Sequence, residues 1–135
     1  MPLNFYPRAG QVLVADFSDL KEPEICKVRP VVVTSPRLPH RSELVTIVPI
    51  SLTGPKHDLP FVVRLSKNYH PDEDDALPCW AKCDLIMNIS ISRLNGFKIG
   101  RRKWATPLMD GNDLAAVRIG MLHGLGMGHL LKPGE

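Results

Sequence analysis

Four short segments rich in valine and isoleucine follow one another along the first half of the chain: QVLVADF (11–17), RPVVVTS (29–35), SELVTIVPIS (42–51) and PFVVRL (60–65). β-Branched side chains crowd a helix but pack well on a pleated sheet, so each segment reads as a strand. The connections hold no helical period. SDLKEPEICKV (18–28) is polar and contains Pro23, and LTGPKHDL (52–59) supplies Gly54 and Pro55 as turn residues. A parallel sheet would need a crossover helix after each strand, and that alternation is missing. CWAKCDLIMNIS (79–90) reads as a fifth strand, with a short helix as the alternative for its mixture of Ala, Lys, Leu and Met. A helical period comes only late: Asp110 or Asn112 can cap a segment whose apolar residues fall at Leu114, Val117, Met121 and Leu125, before glycines 124, 126 and 128 end it. The expected architecture is α+β and mainly β, an antiparallel domain over residues 1–135 with one C-terminal helix.

A chain of 135 residues is long enough to bury roughly two-thirds of its unfolded surface in a single core. No apolar run approaches the roughly 20 residues that span a bilayer, and MPLNFYPRAG lacks the basic and apolar blocks of a signal peptide. A cytoplasmic location with no membrane partner is expected. Cys26, Cys79 and Cys83 are odd in number, which without an export signal argues for reduced thiols. The net charge of +3 is too small to demand a polyanionic partner, but its distribution is uneven: PDEDD (71–75) is acidic and KIGRRKW (98–104) basic. Each run also reads as a solvated loop.

Several chemistries are excluded by spacing. GLGMG (124–128) follows a helix instead of opening one, so it is a helix stop and not a phosphate loop. A lone CxxxC at Cys79 and Cys83 is weak support for zinc, and no HExxH or GxSxG occurs. No metal and no cofactor are expected. What remains is Arg29, a charge at the mouth of a valine strand, with Glu24 in the preceding loop and Ser51 at the end of the third strand, after VPI. Left to itself, Arg29 reads as a strand-end residue snorkelling to solvent or pairing with Glu24. Taken together, a carboxylate to remove a proton, a guanidinium with fixed donors and a hydroxyl fit phosphoryl chemistry on RNA.

The order GQVLVADF, a loop with glutamate, VRPVVVTS, VTIVPIS, PFVVRL and CDLIMNISISRL, over roughly residues 10–125, resembles the MazF/PemK (Kid-type) toxins of type II toxin-antitoxin modules. The resemblance implies an SH3-like antiparallel barrel with a C-terminal helix. It also implies a homodimer that cuts single-stranded RNA at short sequences without metal, leaving a 2′,3′-cyclic phosphate and a 5′-hydroxyl, and an antitoxin that restrains it. The family's catalytic arginine corresponds to Arg29 without a gap, and its strand-end threonine to Ser51, which keeps the hydroxyl and loses the methyl. The family loop G-S-E-Q-x-G corresponds to Glu22-Pro23-Glu24-Ile25-Cys26-Lys27, where only Glu24 stays in register. Candidate RNA contacts are Lys56 and His57, then Trp80 with Lys82, and the cluster Arg101, Arg102, Lys103, because single strands are held by basic groups and stacking planes. The alternatives from other classes are a CcdB-like toxin acting on gyrase and a degenerate relative that binds RNA or its antitoxin without cutting.

Overall fold

The computed structural model describes residues 3–131. Among them, nine strands and one α-helix follow in chain order: β1 (Val12–Asp16), β2 (Val28–Val33), β3 (Leu44–Ser51), β4 (Val62–Arg64), β5 (Trp80–Lys82), β6 (Met87–Ser90), β7 (Leu94–Asn95), β8 (Phe97–Gly100), β9 (Lys103–Ala105) and α1 (Gly111–Gly124). Every pairing is antiparallel. The main sheet runs β4–β5–β3–β2–β1–β7 with β6 also on β3, and β8–β9 form a separate hairpin. The architecture is therefore mainly antiparallel β with a single C-terminal helix, as the strand-after-strand order of the sequence requires.

The uninterrupted valines are explained by burial on both faces of the sheet. Val32, Val48 and Ile50 enter one core cluster with Val12, Tyr69 and Val117, while Val31, Val33 and Ile47 enter the other with Leu13, Phe17 and Leu94. α1 closes the first cluster through the fully buried Val117, with Leu114 and Met121 packed beside it. Its start is capped by Asp110, whose Oδ1 accepts the Asn112 N–H at 2.7 Å. Gly126 sits at φ +74°, the left-handed conformation that ends helices and favours glycine. Leu125, expected on the apolar face, lies past the helix end and is 59% exposed. Among the described residues no helix is long and apolar enough to cross a membrane.

Two parts differ from expectation. The segment 79–90 is not one strand: Ile50 pairs with Ala81 and Ile47 with Met87, so three steps along β3 face six along its partner and three residues are looped out. The basic run 98–104 is not a plain loop but β8 and β9, with a bulge at Lys98/Gly100 and Arg102 in the left-handed region at φ +58°.

Candidate functional site

The site is built where β2 and β3 part. Their ladder runs Val33–Ile47, Val32–Val48, Val31–Pro49 and then stops. Thr34 N–H to Thr46 O at 2.9 Å sets the even-numbered residues of β2 facing β3, so the next rung falls at Pro30, which has no N–H to donate there. Continuing the same register by two residues sets Arg29 across from Ser51, the two strand ends lying open to solvent above a fully buried valine floor. The charge at the mouth of the strand is thereby held by rigid backbone with its side chain exposed.

A broad cleft of about 920 Å³ opens on one side of this pair. Glu24, Arg29, Ser51, Lys56, His57 and Lys82 all line it, so six of the ten candidate residues share one surface. Among the described residues the ion pairs are Lys67–Asp75 and Arg93–Asp19, so the Arg29 guanidinium is not neutralised by Glu24. Ser51 Oγ accepts the Thr53 N–H at 3.0 Å, which orients the oxygen and leaves its own proton to donate. Glu24 rides on the β1–β2 loop. That loop is closed by Phe17 N–H to Lys27 O at 3.1 Å and by a turn from Glu24 N–H to Lys21 O at 2.8 Å. Arg93 holds the near side of the loop with a bidentate grip on Asp19, at 2.6 and 2.9 Å, and a bond to Asp16 O at 3.1 Å. That hydrogen bonding keeps the Asp19 carboxyl below its ordinary range.

The remaining candidates lie elsewhere. The Trp80 indole is not on the cleft wall: it is half-buried against Gly54, where an added Cβ would fall 2.8 Å from the ring, so it supports the β3–β4 loop. Arg101, Arg102 and Lys103 are exposed at the tip of the β8–β9 hairpin, outside the cleft lining. Cys79 and Cys83 are buried in one core cluster and bond main-chain oxygens of Lys67 and Ala81. Burial pushes the Cys83 thiol up to about 12 and raises that of Cys79. Among the described residues no three His, Cys, Asp or Glu side chains gather as a metal site.

One cleft residue was missed by sequence reasoning. Asp84 sits in the looped-out stretch between β5 and β6, exposed on the wall next to Lys82. A segment read as a continuous strand gave no reason to single it out. The cleft thus offers two carboxylates, Glu24 and Asp84, against Arg29, Lys56 and Lys82, a net cationic trough.

This arrangement of antiparallel strands and one terminal helix is the MazF-like fold. MazF from Deinococcus radiodurans superposes with a TM-score of 0.66 at 22% identity, over 92% of this chain and 100% of that one. An endoribonuclease from a mycobacterial species, solved in complex with its cognate antitoxin, gives 0.60 at 15% identity, over 90% and 97%. The Mycobacterium tuberculosis toxin MazF-mt6 gives 0.59 at 18% identity, over 87% and 97%. At these identities the likeness is one of fold. No curated protein sequence matches the chain. Residues 8–117 match the family described as PemK-like, MazF-like toxins of type II toxin-antitoxin systems. The chain belongs to that family.

Proposed function

We propose that this protein is an endoribonuclease toxin that cuts single-stranded RNA at short sequences in the cytoplasm, without a metal ion. The observation that supports this reading is the shared cleft: Arg29 and Ser51 at the parted strand ends, with carboxylates and lysines on the walls around them. In the proposed reaction the ribose 2′-oxygen attacks the adjacent phosphorus, its proton passes to Glu24, and the bond from phosphorus to the 5′-oxygen breaks. The leaving oxygen takes up a proton from water, and the products are a 2′,3′-cyclic phosphate and a 5′-hydroxyl. Arg29 and the Ser51 O–H stabilise the charge that builds on the phosphoryl oxygens, since an arginine that stays protonated is better suited to electrostatic work than to proton transfer. Lys56, His57 and Lys82 attract the phosphates on either side. Asp84 is the second carboxylate within the cleft and the rival to Glu24 as base. Two further expectations complete the reading: a homodimer, and an antitoxin whose acidic segment covers the cationic trough. The mycobacterial endoribonuclease solved with its cognate antitoxin supports the existence of such a partner.

The test is incubation of the purified protein with a long RNA in EDTA and mapping of the cut ends. Arg29→Ala is expected to lower cleavage by roughly 10²–10³-fold with the fold retained, the usual effect of removing a donor to a developing oxyanion. Glu24→Gln and Asp84→Asn, compared side by side, identify the base. Cleavage that persists unchanged in Arg29→Ala, or that disappears with EDTA in the wild type, refutes the mechanism.

A further inference from the structure

Arg29, Ile50 and Ser51 line a second cavity on the other side of the same ridge. It holds about 310 Å³, enough for one nucleobase, and its floor is apolar, with Phe97 fully inside the core. His70 packs edge-on against Phe97, ring centroids 4.6 Å apart at 61°. Its Nδ1 accepts the Asp72 N–H at 3.1 Å, so in the neutral ring the proton is on Nε2 and that nitrogen is a donor. Glu73 supplies a carboxylate to the same cavity.

The wall that carries these groups is fixed in advance. Asn68 N–H donates to Asp75 O at 3.0 Å, and Glu73 N–H to His70 O at 3.1 Å. The Asn68 side chain ties both arms of the loop, accepting the His70 N–H at 2.9 Å and donating to Leu77 O at 3.3 Å. Beneath them, Tyr69 is held by Asp113 on α1 at 2.7 Å. The acidic run 71–75 is solvent-exposed throughout, as a solvated loop is, and its backbone is tied down beside Arg29.

Resting on the proposed function, we infer that this cavity receives the base of a nucleotide flanking the scissile phosphate, and that Glu73 selects a base carrying an exocyclic amino group over uracil. The donors lining it for ring acceptors are the His70 Nε2–H and those N–H groups of the Arg29 guanidinium not engaged by phosphate. Glu73 is the acceptor without a protein donor among the described residues, and a carboxylate recognises an amino group, as it does the cytosine N4. The half-buried His70 ring, seated on Phe97, supplies the stacking surface. A ridge shared by both cavities places phosphate on Arg29 while the attached base turns inward.

The probes are the four nucleoside 3′-monophosphates, added to wild-type protein and followed by NMR at Phe97 and His70. The three amino-bearing nucleotides are expected to bind at least fivefold more tightly than the uridine nucleotide, and Glu73→Gln to erase that difference. A parallel arm maps cut sites in a randomised RNA pool, where Glu73→Gln is expected to relax the base preference at one flanking position by about tenfold. Equal binding of all four nucleotides, or binding that leaves Phe97 and His70 unperturbed, overturns the inference. If the wild type cuts in an Arg29-dependent way while Glu73→Gln leaves its base preference unchanged, the cavity assignment fails and the nuclease reading stands. If no RNA is cut, the nuclease reading fails, and the nucleotide titration still decides whether the cavity discriminates bases.

Discussion

Asp113 is the residue on which the wall beside Arg29 depends most directly. It lies in the first turn of α1, 8% exposed, and its carboxylate accepts from Ser66 N–H at 3.2 and 3.1 Å, Ser66 O–H at 2.7 Å and Tyr69 O–H at 2.7 Å. Asp113→Ala affects these donors unequally. Ser66 is exposed and its groups return to water, a loss of roughly 1 kcal/mol, whereas the Tyr69 hydroxyl is in the core and is stranded as a donor. A hydrogen bond to a charged acceptor with a buried donor contributes roughly 2–3 kcal/mol, so the substitution costs about 3–4 kcal/mol in all. At roughly 2.1 cal/mol/K per residue, unfolding entropy for a chain this size is about 0.28 kcal/mol/K, and Tm falls by about 11–14 °C.

The assay is urea and thermal unfolding of Asp113→Ala, Tyr69→Phe and the double variant. Because both single changes break the same bond, the double variant is expected to cost less than their sum by about 2 kcal/mol. Function follows stability here: with Tyr69 released, the second cavity loses its wall, and nucleotide binding at His70 should weaken even below the melting point. A cost under 1 kcal/mol for Asp113→Ala, or strict additivity with Tyr69→Phe, refutes the reasoning, because it would mean that water serves the Tyr69 hydroxyl as well as the carboxylate does.

Alkaline pH probes the same bond. Burial and the bond donated to Asp113 push Tyr69 up to about 12 from its ordinary 10.0, so the neutral phenol of the folded state adds stability that is complete below pH 10 and lost as pH rises toward 12. Across that window the advantage of wild type over Tyr69→Phe should shrink by roughly 1.4 kcal/mol per pH unit in urea titrations, and parallel stability curves would contradict it. Two glycines of α1 should respond with opposite signs to alanine. At Gly120 a Cβ would fall 2.8 Å from Val63 Cγ2 and 2.9 Å from Cys83 Sγ, and overpacking of roughly 2–3 kcal/mol outweighs a helix-propensity gain of roughly 1 kcal/mol. At Gly111 a Cβ would meet nothing within 4 Å, so Gly111→Ala should raise stability by roughly 0.5–1 kcal/mol in the same unfolding assay.

What could be read from the chain and what could not divides along locality. The valines of β2 and β3 announce strands because β-branching and burial act residue by residue, and the Asp110 cap with the glycines after it delimits α1 for the same reason. Arg29 was legible as an anomaly, a charge on a buried strand. The β8–β9 hairpin was hidden because KIGRRKW presents its charges and masks the pairing of Lys98 with Trp104. Asp84 was hidden by register: that Ala81 and Met87 both lie along β3, with three residues looped out between, is a relation between distant segments that no period within 79–90 carries.

The same limit explains why the second cavity could not be seen in PDEDD. An acidic run is soluble whatever it faces, and Glu73 becomes a recognition group only because Asn68, Asp113 and the Lys67–Asp75 pair bring its loop back to the strand ends. Those ends open just past the Val31–Pro49 pair, where Pro30 faces β3 and has no N–H to give it. Read within its own segment, that proline is only the start of a strand. Set against β3, it separates a rigid floor from an accessible mouth, which is the condition under which one guanidinium can serve a cleft on one side and a base-sized cavity on the other.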